Sequence, residues 1–257
     1  MSAGDTEQLA EGTLISHLLE LRSRLLKAAI AVVVVFLPCG WFRNDLFTLI
    51  ATPLLQRLPK DTSMISTSVI APFMVPIKLA LLTAIVLAMP VILYQLWAFV
   101  APGLYRKEKR FAVPLLISSI VLFYAGVAFA YFLVFPAAFK FLVAVSPVGV
   151  KMMTDMSQYL DFATIMFLAF GAAFEIPIAT ILLLSTGIAK FDTLTKNRGY
   201  VLIGIAAIAA VITPPDAISM LMMAVPMYLL YELGILAARF MLKDKLAAEI
   251  KEQQAAN

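Results

Sequence analysis

The residues that enzymes use most are almost missing from this chain. It has one histidine, His17, and one cysteine, Cys39. A lone cysteine cannot form an internal disulfide, and Cys39 lies inside an apolar run, where packing is its expected role. No HExxH or GxSxG sequence occurs, no histidine neighbours Cys39, and no GxxxxGK[ST] loop is present to cradle a nucleotide. An intramembrane enzyme therefore has little support, and no cofactor or metal is implied.

Charge is scarce as well. Only 14% of the 257 residues are charged, where a soluble domain carries roughly a quarter, and 62% are hydrophobic. The mean hydropathy is +0.95. The few charges are clustered, so that 28–42, 79–105, 111–139, 162–174 with 176–189, 199–215, and 217–231 with 233–238 contain none. A membrane helix needs about 20 apolar residues, and the runs do not alternate as barrel strands do. The expectation is an all-α polytopic membrane protein, a single domain over 1–257 with six spans near 25–42, 77–99, 112–135, 159–184, 199–212 and 217–238.

Cations decide the orientation. Six spans put both termini on one side together with the loops after spans two and four. That side receives fourteen of the 20 Lys and Arg residues, including Arg22, Arg24, Lys27, Arg106, Lys107, Lys109 and Arg110. Both termini are thus expected in the cytoplasm. The net charge of +4 reads as topology, and nothing calls for nucleic acid. The first span does not read as a cleavable signal, because Asp5, Glu7 and Glu11 precede it where a signal would be basic.

Within this frame, Thr13 is expected to cap a short amphipathic surface helix, LISHLLELRSRLL, in the cytoplasmic amphipathic segment (1–24) ahead of span one. Asp45–Leu58 reads as an interfacial helix interrupted by Pro53. Pro90 predicts a kink in span two, and span three is expected to stop at Pro136. Span five is short: 13 residues from Tyr200 to Ile212 reach about 20 Å, against a hydrocarbon core of about 30 Å. It needs local bilayer thinning or shelter against other helices. Asp216, after Thr213-Pro214-Pro215, is placed to cap the last helix, and 239–257 forms a cytoplasmic tail.

Four carboxylates stand out. Glu108 sits among Arg106, Lys107, Lys109 and Arg110. Membrane anchoring needs only those cations, so the acid is surplus to it and hints at a site for something cationic. Glu20 has an ordinary reading as the i,i+4 partner of Arg24. Glu175 and Glu232 fall within spans, where an acid is costly and by default marks function. Pro177 loosens the backbone ladder beside Glu175, while Glu232 has Arg239 two turns on as a structural partner.

The segments HLLELRSRL (17–25), PVILYQLWAFVAPGLYRKEKR (90–110), FAYFLVFP (129–136), FGAAFEIP (170–177) and ITPPDAIS (212–219) together resemble the TatC family of the twin-arginine protein translocase, over about Thr13 to Arg239. The resemblance implies a cup-shaped, six-span subunit of the bacterial cytoplasmic membrane. Such a subunit recognises signal peptides with paired arginines on folded cargo and assembles with single-span TatA-like and TatB-like subunits. It self-associates in a receptor complex, and transport draws on the proton motive force. By the same resemblance Glu20 and Glu108 receive the arginine pair, and Arg22, Phe99 and Arg110 belong to signal recognition. Pro53, Tyr131 and Asp216 match positions needed for transport, and Glu175 matches the polar residue inside the cup. Met220, Met222 and Met223 stand in the partner-docking region where some relatives carry a polar side chain.

Guanidinium meets carboxylate in a rigid bidentate fork that lysine cannot copy. Two neighbouring arginines therefore call for two separated acids, and surrounding cations keep those acids ionised. The rival reading is a proton-coupled small-solute transporter with Glu175 and Glu232 as relay. It expects an internal repeat, and the sequence offers none.

Overall fold

The computed structural model describes residues 3–55, 64–100, 112–145, 153–213, 217–243 and 246, and all its regular elements are helical. In chain order they are α1 (Ala3–Trp41), α2 (Arg43–Leu55), α3 (Ala71–Val100), α4 (Ala112–Phe129), a π-helical segment (Ala130–Val134), α5 (Phe135–Val145), α6 (Met156–Ala173), α7 (Ile176–Ser185), α8 (Phe191–Lys196), α9 (Arg198–Ile212) and α10 (Ala217–Met241). Among the described residues, five stretches are long and apolar enough to cross a membrane: Leu18–Trp41, Ala71–Val100, Val113–Val145, Met156–Ser185 and Met220–Met241. The shorter Arg198–Ile212 is the sixth, in keeping with the expected short span five.

Three boundaries differ from the sequence-based expectation. The surface helix and span one are one continuous helix from Ala3, so Thr13 lies within it and caps nothing. No proline interrupts the chain there before Pro38, and an interior glycine such as Gly12 costs only about 1 kcal/mol. Helix α2 runs through Pro53 to Leu55 without interruption. Span three does not stop at Pro136, because the π turn at Ala130–Val134 widens the ladder just ahead of it and the helix resumes to Val145. Pro136 is then the second residue of α5, where a missing N–H is tolerated.

The outward faces are apolar, as a lipid-facing surface requires. Ile30, Val33, Val34, Leu37 and Trp41 of α1 are all exposed. Helix α1 packs chiefly on α3, α4 on α6, and α10 on α7 and α9. Phe135, Phe170, Leu79, Leu160 and Met166 centre the main core. Cys39 is buried beside Ala80 and Ala84, the packing role expected of it. Small residues let these helices approach closely. A Cβ on Gly126 of α4 would run into the Phe170 carbonyl, and one on Gly234 of α10 would lie 2.8 Å from the Pro177 Cα.

Among the prolines that lie within helices, Pro53 and Pro90 each withdraw an N–H from the carbonyl four residues back. In each case a tyrosine hydroxyl of span three replaces the lost donor. Tyr131 donates to the Leu49 carbonyl at 2.8 Å, four residues before Pro53. Tyr124 donates to the Val86 carbonyl at 3.1 Å, four residues before Pro90. Tyr159 adds a bond to the Ile50 carbonyl at 2.5 Å. Span three is thereby stitched to both α2 and α3 through backbone groups that would otherwise stand bare.

On the same side of the bundle as α2, Asp155 joins the two loops. Its carboxylate accepts from the Thr67 hydroxyl at 2.7 Å and the Thr67 N–H at 2.9 Å, and caps α6 through the Ser157 and Gln158 N–H groups. The Ile65 N–H bonds the Thr154 carbonyl, and the Met156 N–H bonds the Ile65 carbonyl. The Thr67 side-chain and backbone donors, with those of Gln158 and Ser157, hold the Asp155 carboxyl down to about 2, against an ordinary 3.8.

Two predictions follow from this frame. Tyr131→Phe and Tyr124→Phe each strand a carbonyl and are expected to destabilise the protein by about 1–2 kcal/mol. Thermal unfolding in detergent reads the effect, and an unshifted midpoint for both variants contradicts it. A depressed acid stabilises the fold above its unfolded value and loses that contribution as pH falls toward its folded value. Exchange of the Ile65 and Met156 amides, corrected for intrinsic rate, should therefore accelerate between pH 3.8 and about 2. In Asp155→Ala it should be fast throughout and insensitive to that window. Equal protection in the two proteins would contradict the role of Asp155 in joining the two loops.

Candidate functional site

Glu20 lies on α1, half-exposed, with its carboxylate held by Arg24: Nε at 2.9 Å and Nη2 at 2.5 Å. This is the i,i+4 pair expected from the spacing. Exposed helix pairs of this kind are worth about 0.3–0.5 kcal/mol, so another guanidinium can displace Arg24 at little cost. Arg22, two residues on, is exposed.

Helical register brings Glu20 to the same end of the bundle as Phe99. Helices α1 and α3 are successive spans packed along their length, and Cys39 lies against Ala80. Nineteen residues separate Cys39 from Glu20, and nineteen separate Ala80 from Phe99. At 1.5 Å per residue both run about 28 Å from the shared contact. Phe99 is half-buried near the end of α3. Beneath it Trp97 packs with Leu115, Ile178, Leu184, Phe191 and Ala238, which ties this end of α3 to α4, α7, α8 and α10. Glu108 and Arg110 lie outside the described residues, as does Asp216, although α10 begins at Ala217 directly after it.

Pro177 breaks span four at its acid. Helix α6 ends at Ala173, α7 begins at Ile176, and Glu175 stands in the turn between them. The Ser119 hydroxyl on α4 donates to Glu175 Oε2. Glu175 Oε1 is buried and reached by no donor, the one such side-chain nitrogen or oxygen among the described residues. A bare acceptor inside a bundle costs on the order of 1–3 kcal/mol, so a hydrogen-bond donor arriving there gains more than it would in water.

Glu232 has a different partner from the one its spacing suggested. Arg198 at the start of α9 grips it in a fork, Nε to Oε1 at 2.9 Å and Nη2 to Oε2 at 3.0 Å, and the Tyr228 hydroxyl adds a bond to Oε1 at 3.1 Å. Arg239 is not its partner. The acid is saturated and structurally committed, which leaves the proton-relay reading without support.

Pro53 lies in the last turn of α2, and Tyr131 meets the carbonyl that Pro53 leaves bare. The two positions that the family resemblance singled out separately are one interaction. Between α6–α7 and α9–α10 lies an apolar hollow of about 500 Å³ lined by Ala173, Ile176, Ile205, Ile208, Met223 and Met227. Met223 is buried, while Met220 and Met222 are half-buried.

Comparison with known proteins agrees with this architecture. Residues 16–226 match the family model for the Sec-independent protein translocase protein (TatC). The chain is 49% identical over 240 residues to the Sec-independent protein translocase protein TatC of Escherichia coli (strain K12), covering 93% of this chain and 91% of that protein. It is 51% identical over 227 residues to the TatC protein of Haemophilus influenzae (strain ATCC 51907 / DSM 11121 / KW20 / Rd), covering 88% and 89%. A crystal structure of the twin-arginine translocase receptor TatC superposes with a TM-score of 0.77 at 36% identity, over 87% of this chain and 98% of that one. With its all-helical bundle, its broken fourth span and its short fifth, the chain belongs to the TatC family of Sec-independent protein translocases.

Proposed function

We propose that this chain is the signal-peptide receptor and core subunit of a twin-arginine translocase, exporting folded proteins across the bacterial cytoplasmic membrane at the expense of the proton motive force. Both termini face the cytoplasm. The observation that carries the reading is the common end reached by Glu20 and Phe99. Glu108 follows Val100 by eight residues and precedes the start of α4 by four, which supports assigning it to that end too. Glu20 and Glu108 each take one arginine of the signal, with Arg22, Phe99 and Arg110 around them. Glu20 exchanges Arg24 for the incoming guanidinium. Because the Glu20 carboxylate is half-exposed, its binding is modest and salt-sensitive, and release is easy.

Single-span TatA-like and TatB-like subunits dock along spans five and six. Support comes from the 500 Å³ apolar hollow beside α9 and α10 and from the unsatisfied Glu175 Oε1, an acceptor for a polar group on a partner helix. The methionines here make the docking surface apolar, so Glu175 supplies its polar contact. Copies of the chain associate with one another in the receptor complex.

Crosslinking of a twin-arginine signal peptide tests the receptor. Glu20→Gln and Glu108→Gln are each expected to weaken it about tenfold, and the double variant to abolish it while inserting normally. Undiminished crosslinking in the double variant overturns the assignment. For Glu175, copurification of the single-span partners should fall in Glu175→Ala and survive in Glu175→Gln, which can still hydrogen-bond. If Glu175→Ala leaves both copurification and export of a twin-arginine reporter intact, that role is wrong.

A further inference from the structure

The fork between Arg198 and Glu232 forms the floor of a second feature that the receptor reading does not use. A groove of about 400 Å³ opens on the outer surface of spans five and six, between the start of α9 and the last turns of α10. Leu229, Leu233 and Leu236 form its wall and are 57%, 55% and 49% exposed. They lie at helical spacing, one stripe of α10 turned toward lipid. Arg198 and Arg239 stand with Glu232 in the same groove.

The charges there do not cancel. Glu232 is fully engaged by two nitrogens of Arg198 and by the Tyr228 hydroxyl. Arg239 is exposed and forms no ion pair among the described residues. Among the described residues one guanidinium charge is therefore left over at the mouth of a leucine-lined trough. Lys243, one turn further along, adds a cation whose Nζ lies 5.5 Å from the Phe240 ring centroid. The set lies at the C-terminal end of α10, where the helix dipole is negative and cations are stabilised.

From this arrangement we propose that the groove binds an anionic phospholipid of the leaflet next to the C-terminal end of α10. The phosphate sits against Arg239 and the outer edge of the Arg198 guanidinium, and an acyl chain lies along Leu229, Leu233 and Leu236. Basic pockets between membrane helices select anionic headgroups by this chemistry. A protein helix would satisfy the leucines but would leave the surplus guanidinium without a counter-charge at the headgroup level. The 500 Å³ hollow proposed for partner helices is lined by other residues of α10, Met223, Met227 and Tyr231, so both surfaces can be filled at once. An anchored lipid beside the shortest span also gives that end of the bundle a fixed position in the leaflet.

Native mass spectrometry of the full chain in detergent tests the site, titrating phosphatidylglycerol or phosphatidylcholine of identical acyl chains. Phosphatidylglycerol should bind more tightly. Arg239→Gln should weaken it about fivefold, the value of one basic side chain at an anionic surface, and leave phosphatidylcholine unchanged. Arg239→Lys should restore most of the loss, and Arg43→Gln, at the opposite end of span one, should have no effect. Equal affinity for the two lipids overturns the proposal, as does indifference to Arg239→Gln or equal sensitivity to Arg43→Gln. In cells, a photoreactive residue at position 236 should acquire a lipid-sized mass increment. A protein-sized adduct there would mean that a partner helix covers the groove and would also overturn it.

Discussion

In a bilayer every backbone N–H and C=O must find its partner inside the protein, and this chain spends prolines freely within its helices. Pro53 and Pro90 each remove a donor, and the hydroxyls of Tyr131 and Tyr124 restore one to the carbonyls left behind. Both tyrosines belong to span three, seven residues apart and so on one face of it. The repair therefore does more than settle a local deficit. It fixes α2 and span two against a single helix, and Tyr159 of span four joins them at the neighbouring Ile50 carbonyl. With Asp155 closing the loops above, that half of the molecule is a braced frame.

A braced frame suits a receptor whose ligand contacts are weak and exposed. Two separated carboxylates can select an arginine pair only if their spacing is held from outside, and Glu20 for its part is half-exposed, with no deep burial to orient it. Span one supplies Glu20 on a helix packed along span two, and the Trp97 cluster pins the far end of span two to four other helices. Glu175 is the counterexample within the bundle. Pro177 opens the backbone there, and the acid keeps one buried oxygen unsatisfied.

What the residues disclosed unaided was mostly short-range. Uncharged runs marked the spans, including the short fifth, because apolar length is itself the physical requirement. The Glu20–Arg24 pair followed from i,i+4 spacing, and the break at Glu175 from Pro177. Tertiary partners were not legible. Arg198 captured Glu232 across 34 positions, where counting along one helix had suggested Arg239. The tyrosine–carbonyl bonds were hidden for the same reason, although a proline inside a membrane helix always signals that some donor must arrive. Proline was also over-read as a terminator: Pro53 and Pro136 both sit in continuous helix, one relieved by a hydroxyl and the other by a π turn. The continuity of α1 through Thr13 was missed because a good capping residue does not end a helix that has no reason to stop.

The account turns on Glu20 and Glu108 being close enough for one short ligand to touch both. Cysteines at positions 20 and 108, in a Cys39→Ser background, can be challenged with a bifunctional thiol reagent no longer than an extended dipeptide carrying two arginine side chains. Efficient joining within one chain is the predicted result. Absence of that link, while each cysteine alone still reacts with a monofunctional reagent, would contradict it.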